Sequence, residues 1–280
     1  MPTNISVVKY LNAVPLAWGI LEGPQKQSFE PILSTPAECA DQLSKGTVDV
    51  GLIPSIEFQR IKGCRIVPGP AVASLYQVRS VILVSVVPLW KVRTVACDSG
   101  SRTSVALTRI IFDEFYHIRP DFRPADPNLA QMLSQNDAAL LIGDNALRFM
   151  EENDRPNLES QKPLLRLGAE PLEVFDLAER WRFLTGLPFV FAFWAVRDGY
   201  NDPTVVDKLK ASRDFGVANI PVIAEKYAES LQIKKEFIRD YLEKNVHYYM
   251  DQTGLESLRM FYEKAARVGA IKSVRGLQFA

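Results

Sequence analysis

The sequence predicts an α/β protein of two lobes with a ligand cleft between them, and three observations carry that prediction. A strand-helix-strand-helix-strand order runs from Ile5 to Phe58 and returns between residues 93 and 150. Between the two copies lies Val72 to Val87, long and rich in β-branched residues, and a second apolar stretch, Leu187 to Val196, follows the second copy. Two βαβαβ units of one plan suggest two similar lobes. The apolar stretches are then the crossings between lobes, one along Val72 to Val87 and the return near Phe189 to Trp194.

The elements follow in chain order. Ile5 to Tyr10 is a strand, and Leu16, Ile20 and Leu21 mark the helix after it. Pro31 to Leu33 is a second strand. Thr35, Pro36 and Glu38 then supply a capping box with proline in the first turn, and Gly46 stops that helix. Thr47 to Ile53 is the third strand, after which Pro54-Ser55 opens a short helix through Phe58. In the second copy, Thr94 to Cys97 is a strand, Ser104 to Ile118 a helix ended by Pro120, Asp126-Pro127 the start of another helix, and Asp137 to Ile142 a strand. Gly143-Asp144 opens a helix containing Leu147 and Met150. After about residue 204 the chain is mainly helical: Ile233, Phe237 and Tyr241 share one face, and Thr253 with Glu256 caps a helix carrying Leu255, Leu258 and Tyr262. The expected lobes are 1–88 with 193–280, and 89–192.

At 280 residues, 47% of them hydrophobic, the chain is long enough for two cores. Lysine plus arginine and aspartate plus glutamate both number 33, with no basic run longer than Lys234-Lys235, which argues against nucleic-acid or membrane partners. The three cysteines, Cys39, Cys64 and Cys97, are odd in number and widely spaced, which suits a reducing compartment. The start of the chain has no basic segment followed by a long apolar one, and Leu187 to Val196 contains Pro188 and is too short to span a bilayer. A cytoplasmic protein is expected.

The most informative segment is Asp98-Ser-Gly-Ser-Arg-Thr-Ser104, at a strand-to-helix junction. A helix start directs unpaired backbone N–H groups and the positive end of its dipole outward. With hydroxyls from Ser99, Ser101, Thr103 and Ser104, this is a site for a small anion such as a carboxylate. Plain capping by Ser101 or Thr103 is the competing reading, but it needs one hydroxyl and leaves the others over. Strands of an open sheet present their carboxyl ends to a shared crevice. Asn12, Pro54-Ser55, the Ser99 to Ser104 run and Gly143-Asp144 should therefore meet there. The aromatic group Trp181, Phe189, Phe191, Phe193 and Trp194 is read mainly as interlobe core. No metal-ligand cluster, nucleotide loop or Ser-His-Asp order is present, so no metal or cofactor is implied.

The residues also carry a resemblance that covers essentially the whole chain. Tyr10-Leu-Asn-Ala-Val-Pro-Leu16, Val48-Asp-Val-Gly-Leu-Ile-Pro-Ser55, Val78-Arg-Ser-Val-Ile-Leu83, Ser101-Arg-Thr-Ser104, Leu141-Ile-Gly-Asp144, Phe175-Asp-Leu-Ala-Glu-Arg-Trp181 and Thr185-Gly-Leu-Pro-Phe-Val-Phe-Ala192 occur in the order and spacing of the chorismate dehydratase family of the futalosine route to menaquinone. The chain resembles that family, with Pro54-Ser55 where the family pattern has a pair of serines. The resemblance implies a periplasmic-binding-protein-like (type II) fold and conversion of chorismate to 3-[(1-carboxyvinyl)oxy]benzoate plus water. It also implies chorismate as the small-molecule partner, and a homodimer is left open. It places Asn12 and Ser80 at the cleft as catalytic hydrogen-bond donors, and Ser55, Ser101, Arg102, Thr103, Ser104, Gly143 and Asp144 as substrate-binding residues.

The identity of the proton acceptor stays open. The chain has two histidines, His117 at the far end of a helix and His247 in the terminal helical region, both read as structural. Asp144 is either a helix cap or a base, Cys97 as a nucleophile would need a nearby base, and the substrate's own enolpyruvyl carboxylate is the favoured acceptor. A solute-binding or sensory protein for a small carboxylate and the related 1,4-dihydroxy-6-naphthoate synthase are the alternative readings.

Overall fold

The computed structural model describes residues 2–153, 165–167 and 170–280; Met1 and the stretches 154–164 and 168–169, inside the expected second lobe, lie outside the described residues. The chain begins β1 (Thr3–Val8), α1 (Val14–Leu21), β2 (Phe29–Ser34), α2 (Pro36–Lys45), β3 (Val50–Pro54) and β4 (Arg65–Ser74). It continues with β5 (Val81–Ser85), β6 (Thr94–Asp98), α3 (Arg102–Ile111), β7 (Asp121–Ala125), α4 (Leu129–Gln135), β8 (Ala138–Ile142), α5 (Gly143–Asn153), β9 (Leu165–Leu167), β10 (Glu170–Asp176) and α6 (Leu177–Thr185). The last part is β11 (Phe189–Val196), α7 (Val205–Ala218), α8 (Ile220–Leu231), α9 (Lys235–Asp240), β12 (His247–Tyr249) and α10 (Gln252–Arg267).

Two sheets of one plan result, ordered β12-β4-β11-β3-β1-β2 and β7-β6-β8-β5-β10-β9. In each, three parallel strands stand beside one antiparallel strand delivered by a crossing: β11 lies against β3 and β4, and β5 against β8 and β10. The internal repeat in the sequence is thus a repeat of sheets. The aromatic residues do form core, with Trp181, Trp194, Phe189 and Phe193 almost fully buried and Trp181 donating to the Ser257 hydroxyl at 2.9 Å. Burial of side chains this large is a major source of stability.

Local expectations hold where the signal is local. The Thr35 hydroxyl accepts from the Glu38 N–H at 3.3 Å and the Glu38 carboxylate accepts from the Thr35 N–H at 2.7 Å, while Gly46 takes the left-handed φ of 70° that ends α2.

Four expectations are corrected. The crossing is not one strand: it breaks between β4 and β5 around Arg79, whose φ is 61°, so Val81–Ser85 belongs to the second sheet rather than to a first lobe ending at 88. The Asp176 carboxylate causes that break, accepting from the N–H groups of Val78 at 2.9 Å and Arg79 at 2.6 Å with one oxygen while the other caps α6. The helix expected over 104–118 starts earlier and passes into a π-helical turn, Phe112–Tyr116, that ends at left-handed His117. α4 begins at Leu129 under an Asn128 cap rather than at Asp126-Pro127. α10 is capped by Asp251, which accepts from Gly254 N–H at 2.9 Å; Thr253 only donates its hydroxyl to that carboxylate.

Candidate active site

A cleft enclosing about 500 Å³ of space, open solvent included, lies between the sheets, at the carboxyl ends of β1, β3, β6 and β8. Asn12 follows β1, Pro54 ends β3, Gly100 to Ser104 follow β6, and Ile142-Gly143 close β8. Val72, Val81, Phe191 and Ala192 come from the strands at the two crossings. The four loops expected to converge do so.

The α3 terminus is built by Asp98. One of its carboxylate oxygens accepts from Gly100 N–H at 2.9 Å, and its backbone carbonyl accepts from Ser101 N–H, also at 2.9 Å. This turn aims the first N–H groups of α3 at the cavity. Ser101 is the N-cap residue but makes no capping hydrogen bond; the residue lines the cavity and is 4% exposed, and its buried hydroxyl has no protein partner. A buried hydroxyl without a partner costs on the order of 1–3 kcal/mol, and a ligand acceptor would recover that cost. Thr103 does not cap either: its oxygen accepts from Ile56 N–H at 3.1 Å, joining the lobes. The capping reading therefore fails for both. Ser104 lines the wall, whereas Ser99 is exposed and does not.

Other expected residues stand differently. Arg102 reaches the wall, but its guanidinium grips Asp41 at 2.8 and 3.1 Å and the buried Glu57 at 3.1 Å. Its charge ties α3 to the first lobe. Ser55, Ser80 and Asp144 lie behind the wall rather than on it. The Ser55 carbonyl accepts from the Tyr262 hydroxyl at 2.7 Å. The Ser80 carbonyl accepts from Gly143 N–H at 2.8 Å, and its hydroxyl accepts from the Tyr241 phenol at 2.7 Å. Asp144 accepts from Leu11 N–H at 2.9 Å, fastening α5 of the second lobe to the loop that carries Asn12, and burial pushes its carboxyl up to about 6.

Tyr10 and Tyr241 are the residues that sequence reasoning missed as site components. Tyr10 lines the cavity and packs its ring under Gly143; burial, then the charges of Asp98 and Asp144, hold its phenol well above the ordinary tyrosine range. Its place in Tyr10-Leu-Asn12 was the available signal. Tyr241 had none beyond its helical face. Among the described residues lining the cavity there is no carboxylate, histidine, lysine or cysteine. Cys97 is buried, with its thiol pushed up to about 12, and is no nucleophile. Neither His117 nor His247 is on the wall. No group of three or more potential metal ligands occurs among the described residues.

Comparison with known proteins fits this architecture. A family model described as menaquinone biosynthesis matches residues 3–267. The chain belongs to that family. A curated relative from Thermus thermophilus, chorismate dehydratase, is 30% identical over 94% of both chains. Family membership accounts for the motif spacing from Tyr10 to Ala192. Crystal structures with the same fold include a protein from Archaeoglobus fulgidus, with TM-score 0.69 and 15% identity over 96% of this chain and 98% of that one. The periplasmic aliphatic sulphonate binding protein of Escherichia coli gives 0.62 and 13% over 100% and 96%. The fold is periplasmic-binding-protein-like, and no helix among the described residues is long and apolar enough to cross a membrane.

Proposed function

We propose that this chain is a chorismate dehydratase, a hydro-lyase that converts chorismate to 3-[(1-carboxyvinyl)oxy]benzoate and water. The observation that carries the reading is the wall itself: a helix start, the unpartnered Ser101 hydroxyl, Ser104 and Asn12 offer neutral donors, and no side-chain base faces the space. A dicarboxylate needs donors, and a reaction driven by aromatisation needs chiefly orientation. The proton leaves ring carbon 3, its electron pair forms the new ring double bond, the bond from carbon 4 to oxygen breaks, and the leaving hydroxide takes up the abstracted proton and departs as water.

Tyr10 cannot accept that proton near neutral pH, because its phenol holds its own proton tightly. The substrate's enolpyruvyl carboxylate takes it instead. Ser101, Ser104 and the α3 N–H groups hold the ring carboxylate, and Asn12 with Ser80 behind it fixes the enolpyruvyl arm. Buried free thiols at Cys39, Cys64 and Cys97 fit work in the cytoplasm.

The test is to mix purified protein with chorismate, follow loss of the diene absorbance and identify the product by mass. Loss of one water supports the reading, and unchanged chorismate ends it. Within that assay, Asn12→Ala with Ser80→Ala is expected to lower turnover by about 100-fold or more. Turnover within twofold of the parent removes both residues from the mechanism.

A further inference from the structure

We infer that Tyr241 is a positioning residue that fixes the direction of the Ser80 hydroxyl behind the cavity wall. The inference rests on the dehydratase reading and adds a third group to it, from a part of the chain that the sequence marks only as helical packing.

Tyr241 is fully buried and opens the π-helical turn Tyr241–Asn245 at the end of α9. Such turns insert an extra residue into a helix and re-aim side chains, and they recur at functional sites. Here the phenol leaves the apolar face shared with Ile238 and meets Ser80, just before β5. Its proton goes to the Ser80 oxygen at 2.7 Å. Full burial and then the charges of Asp144 and Asp176 outweigh the opposite pull of Ser80 and the weaker one of Asn12, and the phenol stays protonated.

The hydrogen count then decides directions. Tyr241 has one hydrogen, and Ser80 receives it. The Ser80 hydrogen is therefore free for another acceptor rather than spent on the phenol. Asn12, which also acts weakly on the phenol, lines the cavity. The Ser80 carbonyl meanwhile holds Gly143 N–H, which fixes the backbone on the opposite side. Without the phenol, the Ser80 hydroxyl keeps no set direction. Tyr241 touches no cavity space, so it acts through Ser80.

The experiment compares steady-state kinetics on chorismate for the parent, Tyr241→Phe, Ser80→Ala and the double variant, with melting temperatures for each. Phenylalanine keeps the ring and removes only the hydroxyl. The expected result is a fall in kcat of about 10- to 100-fold with KM within about threefold. The double variant should fall no more than about threefold below Ser80→Ala, because both substitutions cut one link. A hydroxyl that merely supported the fold would lower the melting temperature and leave kcat alone.

Turnover by Tyr241→Phe within twofold of the parent, or multiplicative losses in the double variant, overturns the inference while leaving the dehydratase reading intact. A parent inactive on chorismate overturns both. Should Tyr241→Phe not fold, 3-fluorotyrosine at position 241 keeps the ring and acidifies the phenol. It is expected to shift kcat by about twofold or more at constant KM, and an unchanged kcat there overturns the inference as well.

Discussion

Replacing Gly143 with alanine tests the packing of the site from two sides. Gly143 has φ of 60°, and a Cβ added there would stand 2.7 Å from Cδ2 and 2.8 Å from Cγ of the Tyr10 ring. Left-handed backbone costs a non-glycine residue about 1–2 kcal/mol, and forcing an extra carbon into packed surroundings costs about 1–3 kcal/mol. A total of about 2–5 kcal/mol is expected. Gly46 is the internal control: its φ is 70°, yet nothing lies within 4 Å of an added Cβ, so Gly46→Ala carries the backbone cost alone.

Urea unfolding of both variants, with m-values shown to be equal, isolates the collision as the difference, about 1–3 kcal/mol. Because the displaced ring is part of the cavity wall, Gly143→Ala should also raise the KM for chorismate, and Gly46→Ala should not. If the two variants are equally destabilised and both bind normally, the account of how Tyr10 and Gly143 shape the cavity is wrong.

Ser101→Ala is expected to leave stability unchanged or raise it slightly, because it deletes a buried hydroxyl with no partner, while weakening chorismate binding by about 10- to 100-fold; a lowered melting temperature with normal binding contradicts the assignment. Asp144 gives a pH prediction. Its carboxyl is raised from 3.8 to about 6 in the folded protein, so the native state binds that proton more tightly. Its contribution is fully present below about pH 4 and is lost as pH rises through about 6, by up to about 3 kcal/mol. Asn at this position can still accept from Leu11 N–H, so Asp144→Asn should flatten this part of the profile, and parallel unfolding free energies for the two proteins between pH 4 and 8 would show the cause to be elsewhere.

Much of the fold was legible because its signals are short-range. The capping box at Thr35 and Glu38 and the repeated strand order need only neighbours a few residues apart to form. The α3 junction was legible as a strand-to-helix turn opening on the cleft for the same reason. What the sequence hid depends on distant partners. Arg102 looked like a ligand residue, yet Asp41 and Glu57 arrive from the other lobe to take its charge. The break at Arg79 follows from Asp176, and Tyr241 joins Ser80 across 161 positions. At α10 two capping side chains compete two residues apart, and Asp251 takes the helix N–H.

The return of β11 to the first sheet has a consequence for how the molecule is made. The second half runs from β5 to α6 along one stretch of chain, but the first does not: residues 2–74 lack the strand that fills the gap between β3 and β4, and that strand is made only after the whole second half has been synthesised. The first half must wait on the ribosome with two unpaired edges facing each other, exposed to mispairing. Fragments split in the turn between α6 and β11, at Gly186, should accordingly remain insoluble apart and regain structure when mixed.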